Sequence, residues 1–466
     1  MEPRNHSKLL AELEERYVQR APMSAEINQW AKGYLVDGGS HSLRLAEPCP
    51  PRIAEAHGAW IRDEDGHEVL DFWQGHFANI LGHNSEVVTS VLADSFSMGF
   101  GLQTGFTDTL QVETAELFCR QTGADCVRFT TSGTLATMYA ILLARSFTGR
   151  DLVMKVGGGW HGGHPWGLKG IRFHGKDGGG FRQVDTEGLP SVQTDQILVT
   201  RFNDTDMLYD QFRQHGDRIA CFIVEPFIGM GGLMPASPEY LHVARELTEK
   251  HGAVLIFDEV IAGFRFRAGN TGALYGVQPD LATFGKVVGG GMPVAALGGK
   301  LDIMKLVGRE ESHRVKFSGG TYSAHPAALL AAKTQMEYLV SHEQEIYPRL
   351  AILGDRTRRT VEGAFAKEGI CARCTGDPND VLPGSSLSML VFPYQDDVQL
   401  KNPEDIWDPS VTDVTLRENV LRLAMLLEDV HPMHGLGSVS AAHTETDIEY
   451  LDEACCRIAH RLKAQM

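Results

Sequence analysis

The sequence predicts an α/β fold: a large domain on a mostly parallel sheet flanked by helices, with a small α+β domain assembled from the two ends of the chain. Three observations predict it. Several short apolar runs lack polar alternation, which suits strands buried on both faces. Helical patterns separate them, as parallel crossovers require. The 466 residues are 43% hydrophobic and 22% charged, enough to bury a large core divided between domains.

The opening stretch, "MEPRNHSKLLAELEERYVQR", is charged throughout and lacks the apolar centre of a signal peptide. No window reaches about 18 apolar residues, so the expectation is a cytoplasmic protein. "AWIRDEDGHEVLDF" reads as a hairpin, because two strand-like runs flank a turn of Asp63, Glu64, Asp65 and Gly66. It falls in an N-terminal segment, 1–76. The runs "CVRFTTSG", "DLVMKV", "ILVTRF", "IACFIVEP", "AVLIFDEV" and "LATFGK" are the strands of the large domain, 77–334. In the C-terminal domain, 335–466, turn formers in "GDPNDVLPGSSL" and "PYQDDVQLKNPEDIWDPS" predict surface loops around a short strand, "SMLVF". Thr446 and Glu449 have capping-box spacing, and Ile448, Leu451, Cys455, Ile458 and Leu462 form the apolar stripe of a final helix.

The chain carries 43 Lys and Arg against 60 Asp and Glu, a net charge of -17. That balance disfavours nucleic acid or an anionic membrane as the main partner. Eight cysteines in this length do not make a disulfide framework. Cys371 and Cys374 have CxxC spacing but no second ligand pair follows, so no metal is expected.

Asp258 follows the run "AVLIF", at the carboxyl end of a buried strand, where open α/β sheets bind ligands. A carboxylate there is costly without a partner; a helix cap or a salt bridge is the simpler alternative for it alone. Lys286 ends the next apolar run, so both side chains can reach one crevice. A partly desolvated lysine has a lowered pKa and serves as an amine nucleophile. In "FTTSGTLATMYAILLARSF" a strand leads through Ser132, Gly133 and Thr134 into a helix, whose free N–H groups suit a phosphate. Nucleotide loops do not fit the glycines: a P-loop ending at Gly299 and Lys300 would need glycine where Val294 stands and Ser or Thr at Leu301. A phosphate site, a strand-end Asp and a strand-end Lys together meet the needs of pyridoxal 5'-phosphate.

These motifs resemble the class III aminotransferases of fold type I, from about Tyr34 to the C-terminus. The resemblance rests on SGT at Ser132, WHG at Trp160, VEP at Val224, "FDEVIAGFR" at Phe257, "PDLATFGKVVGGGMPVAALGGK" at Pro279 and "GGTYSAHP" at Gly319. It implies a seven-stranded sheet and a homodimer with shared sites. By position, Lys286 is the imine lysine and Asp258 pairs the pyridinium. Ser132, Gly133 and Thr134 hold the phosphate, Trp160 stacks on the ring, Val260 packs under it, and Glu225 joins the cofactor-binding set. Thr321 reaches the neighbouring subunit's cofactor. The glycines after Lys286 then suit close backbone approach near the dimer interface.

Within the family the chain is most similar to the branch of glutamate-1-semialdehyde 2,1-aminomutase, D-phenylglycine aminotransferase and β-amino acid aminotransferases. "VDGGSHSLR" places Arg44 on the arginine that clamps the substrate carboxylate, and His76 stands where the D-phenylglycine enzyme has histidine. The chain departs from the usual pattern at Thr131, Leu135, Met230 and Gly435, which counts against glutamate-1-semialdehyde itself as substrate. The implied activity is transfer of an amino group between a small carboxylate-bearing amino acid and a 2-oxo acid. An aminomutase, a racemase or epimerase, and a non-catalytic cofactor-binding protein are the alternatives.

Overall fold

The structure is a computed structural model, and it describes residues 4–309 and 314–464. The predicted hairpin is present: β1 (Ile53–His57), β2 (Trp60–Asp63) and β3 (Glu68–Asp71) form an antiparallel meander in which Ile61 faces Val69. Its turn is anchored, since the Asp65 carboxylate accepts from the Met23 and Ser24 amides at 2.7 and 3.0 Å. A C-terminal strand, Val430–His431, pairs in parallel with β3, so the two ends of the chain share one sheet.

The large sheet holds seven strands: β4 (Cys126–Thr130), β5 (Leu152–Val156), β6 (Ile197–Thr200), β7 (Ile219–Val224), β10 (Val254–Glu259), β11 (Leu281–Phe284) and β12 (Ala295–Gly299). A short ribbon of β8 (Phe227–Ile228) and β9 (Met234–Pro235) lies between β7 and β10 in sequence. The strand order is β4-β12-β11-β10-β7-β5-β6, parallel except for β12, which runs antiparallel to both its neighbours.

Alternate residues face opposite ways in a strand, and here both faces are covered. Val153, Cys221, Ile223 and Ile256 pack with Ala136, Ala140, Ile141 and Ala144 of the helix Gly133–Thr148. Met154, Phe222, Leu255 and Phe257 enter the larger core on the other side. Each such side chain contributes about 1.5–3 kcal/mol when fully buried. This explains why six strands are legible as mostly apolar runs without polar alternation. The seventh, β12, is Ala-Ala-Leu-Gly-Gly, and its glycines are required by crowding: a Cβ on Gly298 would lie 2.9 Å from the Phe118 ring, and one on Gly299 would lie 2.5 Å from the Asp280 carbonyl.

Two local expectations change. The final helix, Glu445–Lys463, is capped by Thr444 with Asp447, not by Thr446 with Glu449. The Asp447 carboxylate reaches back to the Thr444 amide at 2.7 Å, which closes the box two residues earlier and leaves the stripe from Ile448 to Leu462 buried as expected. The strand in "SMLVF" is broken at Met389, because Leu387–Ser388 pairs with Gly437–Ser438 while Leu390–Val391 pairs with Arg373–Cys374.

Candidate active site

The strand-end carboxylate and lysine meet at the carboxyl edge of the sheet because β10 and β11 are parallel neighbours with Asp258 opposite Thr283. Asp258 is 3% exposed. Its Oδ1 accepts from the Val260 amide and the Thr283 hydroxyl, both at 3.1 Å, and its Oδ2 lies 2.8 Å from His161 Nδ1. A buried carboxylate bound this way is held in one orientation. Lys286 follows β11 on a left-handed backbone, φ 48°. Burial is the main cause lowering its pKa, opposed by the charges of Asp258 and Glu225. Among the described residues its ammonium has no hydrogen-bond or ion-pair partner.

Ser132 caps the helix Gly133–Thr148 by accepting from the Leu135 amide at 3.3 Å. Gly133 is bare where it must be: a Cβ there would lie 2.9 Å from a Val260 methyl, and one on Gly285 would lie 3.4 Å from Val260. Val260 therefore packs between the helix start and the Lys286 segment. The loop after β5 lies on the same helix start, since a Cβ on Gly162 would come within 2.6 Å of Thr134 Cα. Trp160 on that loop is 39% exposed. Its amide donates to Glu225 Oε1 at 3.0 Å, while the Gly229 amide donates to Oε2 at 2.9 Å. Glu225 so ties two loops together. Burial first, then the nearby Asp258, pushes its pKa up to about 8.

The opposite wall carries the two residues expected to meet substrate. Arg44 sits exposed in the turn Ser42–Arg44, near enough for its charge to lower the pKa of both His41 and His76. Burial, then His41, Arg44, Lys286 and His434, lowers His76 to about 3, so its imidazole is neutral. The His76 ring lies 4.8 Å from His41 and 4.7 Å from Trp73. Gln74, Gly75, His76 and Phe77 all have positive φ, from 45° to 68°. For non-glycine residues this costs about 1–3 kcal/mol each. The surroundings hold the strain: Asp71 accepts from the Trp73 and Gln74 amides at 3.0 and 2.8 Å, and buried Arg265 donates to the Phe77 carbonyl and, at 3.3 and 3.4 Å, to Ser386 and Ser438.

Next to Gly229 and its bond to Glu225, the Met230 carbonyl accepts from Trp407 Nε1 at 3.1 Å, and Arg417 lies 4.4 Å over the Trp407 ring. Glu418 bridges Arg417 Nε at 2.6 Å and His434 Nδ1 at 2.9 Å. Thr321 is exposed, on the loop leading into the helix Pro326–Ser341. Of the glycines after Lys286, Gly290 makes a close backbone approach within the chain: it has φ 57°, and a Cβ there would lie 2.8 Å from the Ala331 carbonyl of that helix. Sequence reasoning passed over His161 and Thr283, which hold Asp258. The first stands next to Trp160 in the WHG motif, and the second follows only from strand register.

An unpartnered lysine, a buried fixed carboxylate, an open helix start and a half-covered tryptophan at one sheet edge suit pyridoxal 5'-phosphate. The class III aminotransferase family model matches residues 44–354. The chain belongs to the class III aminotransferases. Among its relatives is glutamate-1-semialdehyde 2,1-aminomutase 2 of Lachnoclostridium phytofermentans, 36% identical over 78% of this chain and 81% of that one. An omega-transaminase from Sphaerobacter thermophilus aligns with a TM-score of 0.85 at 29% identity, covering 95% of this chain and 99% of its own. A beta-phenylalanine aminotransferase from Variovorax paradoxus gives 0.85 at 27%, covering 99% of both. The fold is that of the type I pyridoxal-phosphate transaminases, and family membership makes pyridoxal 5'-phosphate the cofactor of this class III enzyme. Among the described residues, no helix is long and apolar enough to cross a membrane.

Proposed function

We propose that this class III enzyme is an aminotransferase that moves the amino group of a small carboxylate-bearing amine to a 2-oxo acid. The observation that carries the reading is that Arg44 and Lys286 both lie near enough to neutral His76 for their charges to act on it, which supports a carboxylate clamp on the same site as a free amine. When bound, the cofactor supplies the electron sink that acidifies the substrate Cα–H. The rest is the work of side chains. Lys286, with its pKa lowered, is the base that would take the proton from the substrate Cα and carry it to the carbon that keeps the amino group. Asp258, oriented by His161, Thr283 and the Val260 amide, keeps an anion where a protonated ring nitrogen needs one. Ser132, Gly133 and Thr134 offer the helix start to the phosphate, Val260 and Trp160 bound the ring, and Glu225 positions Trp160. Arg44 binds the substrate carboxylate with its planar fork.

We place the enzyme in the cytoplasm as a homodimer in which Thr321 reaches the partner's cofactor. In support of the dimer, Tyr34, Val36, Met98, Leu102, Phe106 and Tyr322 are each at least 62% exposed on the single chain, apolar side chains that a partner subunit can cover. The 36% identity to an aminomutase motivates the second reading, intramolecular transfer of the amino group. Met230 and Gly435, where aminomutase motifs carry asparagine and glutamate, favour transfer to a separate acceptor. A screen of amines, both enantiomers of each, against several 2-oxo acids tests this. Formation of the acceptor's amino acid supports it; isomerisation of a substrate with no transfer to any acceptor overturns it.

A further inference from the structure

Lys155 is the anomaly of the central sheet. It sits in β5, where all five residues are buried, and is itself 0% exposed. A buried ammonium ordinarily pairs with a carboxylate, yet among the described residues none lies within ion-pair distance. Its three N–H donors go to three backbone carbonyls: Gly159 at 3.0 Å, Gly167 at 3.1 Å and Lys169 at 2.8 Å. All three belong to the one loop that leaves β5. That loop carries Trp160, bonded to Glu225, and His161, bonded to Asp258. It also rests on the helix start, where Thr137 Oγ1 donates to the His161 carbonyl at 2.6 Å.

We infer that Lys155 is a positioning residue whose ammonium folds the loop 157–170 from within, and so sets Trp160 and His161 against the cofactor site. An ammonium has three donors and no acceptor, and here three converging carbonyls use them all. No neutral side chain of that length supplies three donors from one atom. The charge has a second effect, because it acts on the carboxylates of Glu225, Asp185 and Asp258. Burial lowers Lys155 to about 8, so the cation persists at neutral pH.

The inference rests on the proposed roles of Trp160 and Asp258 toward the cofactor, but its first test does not need cofactor. In the cofactor-free protein, Lys155→Met leaves three carbonyls unpaired, and amide hydrogen exchange across 157–170 is expected to quicken by about tenfold or more. In the second test, pyridoxal 5'-phosphate binding weakens by about tenfold in Lys155→Met, and adding Trp160→Leu weakens it little further, since both changes act through one loop. Exchange that quickens only in β5 and its neighbouring strands, or losses of affinity that multiply in the double variant, would overturn the inference. If Lys155→Met does not fold, Lys155→Gln keeps two donors and gives the same readouts at smaller amplitude. Wild-type protein that fails to bind pyridoxal 5'-phosphate would instead defeat the functional reading, while the exchange result would still decide the role of Lys155.

Discussion

The two walls of the cleft are built by different means. On the cofactor wall, Lys286, Asp258 and Val260 follow the neighbouring parallel strands β11 and β10, and the helix start at Gly133, after β4, packs against Val260. On the proposed substrate wall, Arg44 comes from an exposed turn and His76 from a strained left-handed stretch, which is held by Asp71 just before it and by the distant Arg265. Rigid sheet edges preserve a shared chemistry, while loops clamped from outside can be retuned. Relatives named for isomerisation and for transamination are similar to this one chain, as a fold that keeps its sheet and varies its loops allows.

Removing the lysine tests the cofactor wall, with the largest expected effect. Lys286→Ala should lower amine transfer by about 10³-fold or more, as loss of a positioned proton carrier does; the check is steady-state transfer from a carboxylate amine. A fall of less than tenfold would break the assignment.

Arg265 joins the two walls. Arg265→Met should destabilise the protein by about 2–3 kcal/mol, because the Phe77 carbonyl and two buried hydroxyls lose their donor, measured by denaturant unfolding of the cofactor-free form. A stability change near zero would mean that the strained stretch supports itself.

On the substrate wall, Arg44→Ala should cost carboxylate amines about 2 kcal/mol in kcat/KM while amines without a carboxylate change little. Equal losses would refute the clamp.

The smallest effect belongs to His76. Its folded pKa of about 3 lies below the ordinary 6.5, so the unfolded chain binds a proton more readily between those values. Stability therefore falls as pH drops through that window, and is unaffected by this group above it. His76→Phe should flatten that acid slope in a pH series of unfolding curves and leave neutral-pH stability nearly unchanged.

The same contrast decides what the sequence made legible. Mostly apolar runs showed six strands, and Asp258, Lys286 and Ser132 stood at their ends, where position in the run fixes position in space. β12 was hidden because close packing against Phe118 and the Asp280 carbonyl demands small residues, which erase the hydrophobic signal. His161 was hidden although it stands beside Trp160, since only the folded loop turns its ring to Asp258. The shift of the helix cap to Thr444 and Asp447 turned on the reach of one carboxylate. His76 was readable as a residue of interest from its motif, but its left-handed backbone depends on Asp71 and on Arg265, nearly 190 positions away.

The central claim is transfer of the amino group to a separate acceptor, and a half-reaction tests it most directly. Cofactor-loaded enzyme is mixed with one carboxylate amine and no acceptor, and both the keto product and the form of the cofactor are measured. One equivalent of free 2-oxo or 3-oxo acid per site is expected, with the cofactor left in its amine form. Release of an isomer of the starting amine, with no keto acid, would contradict it.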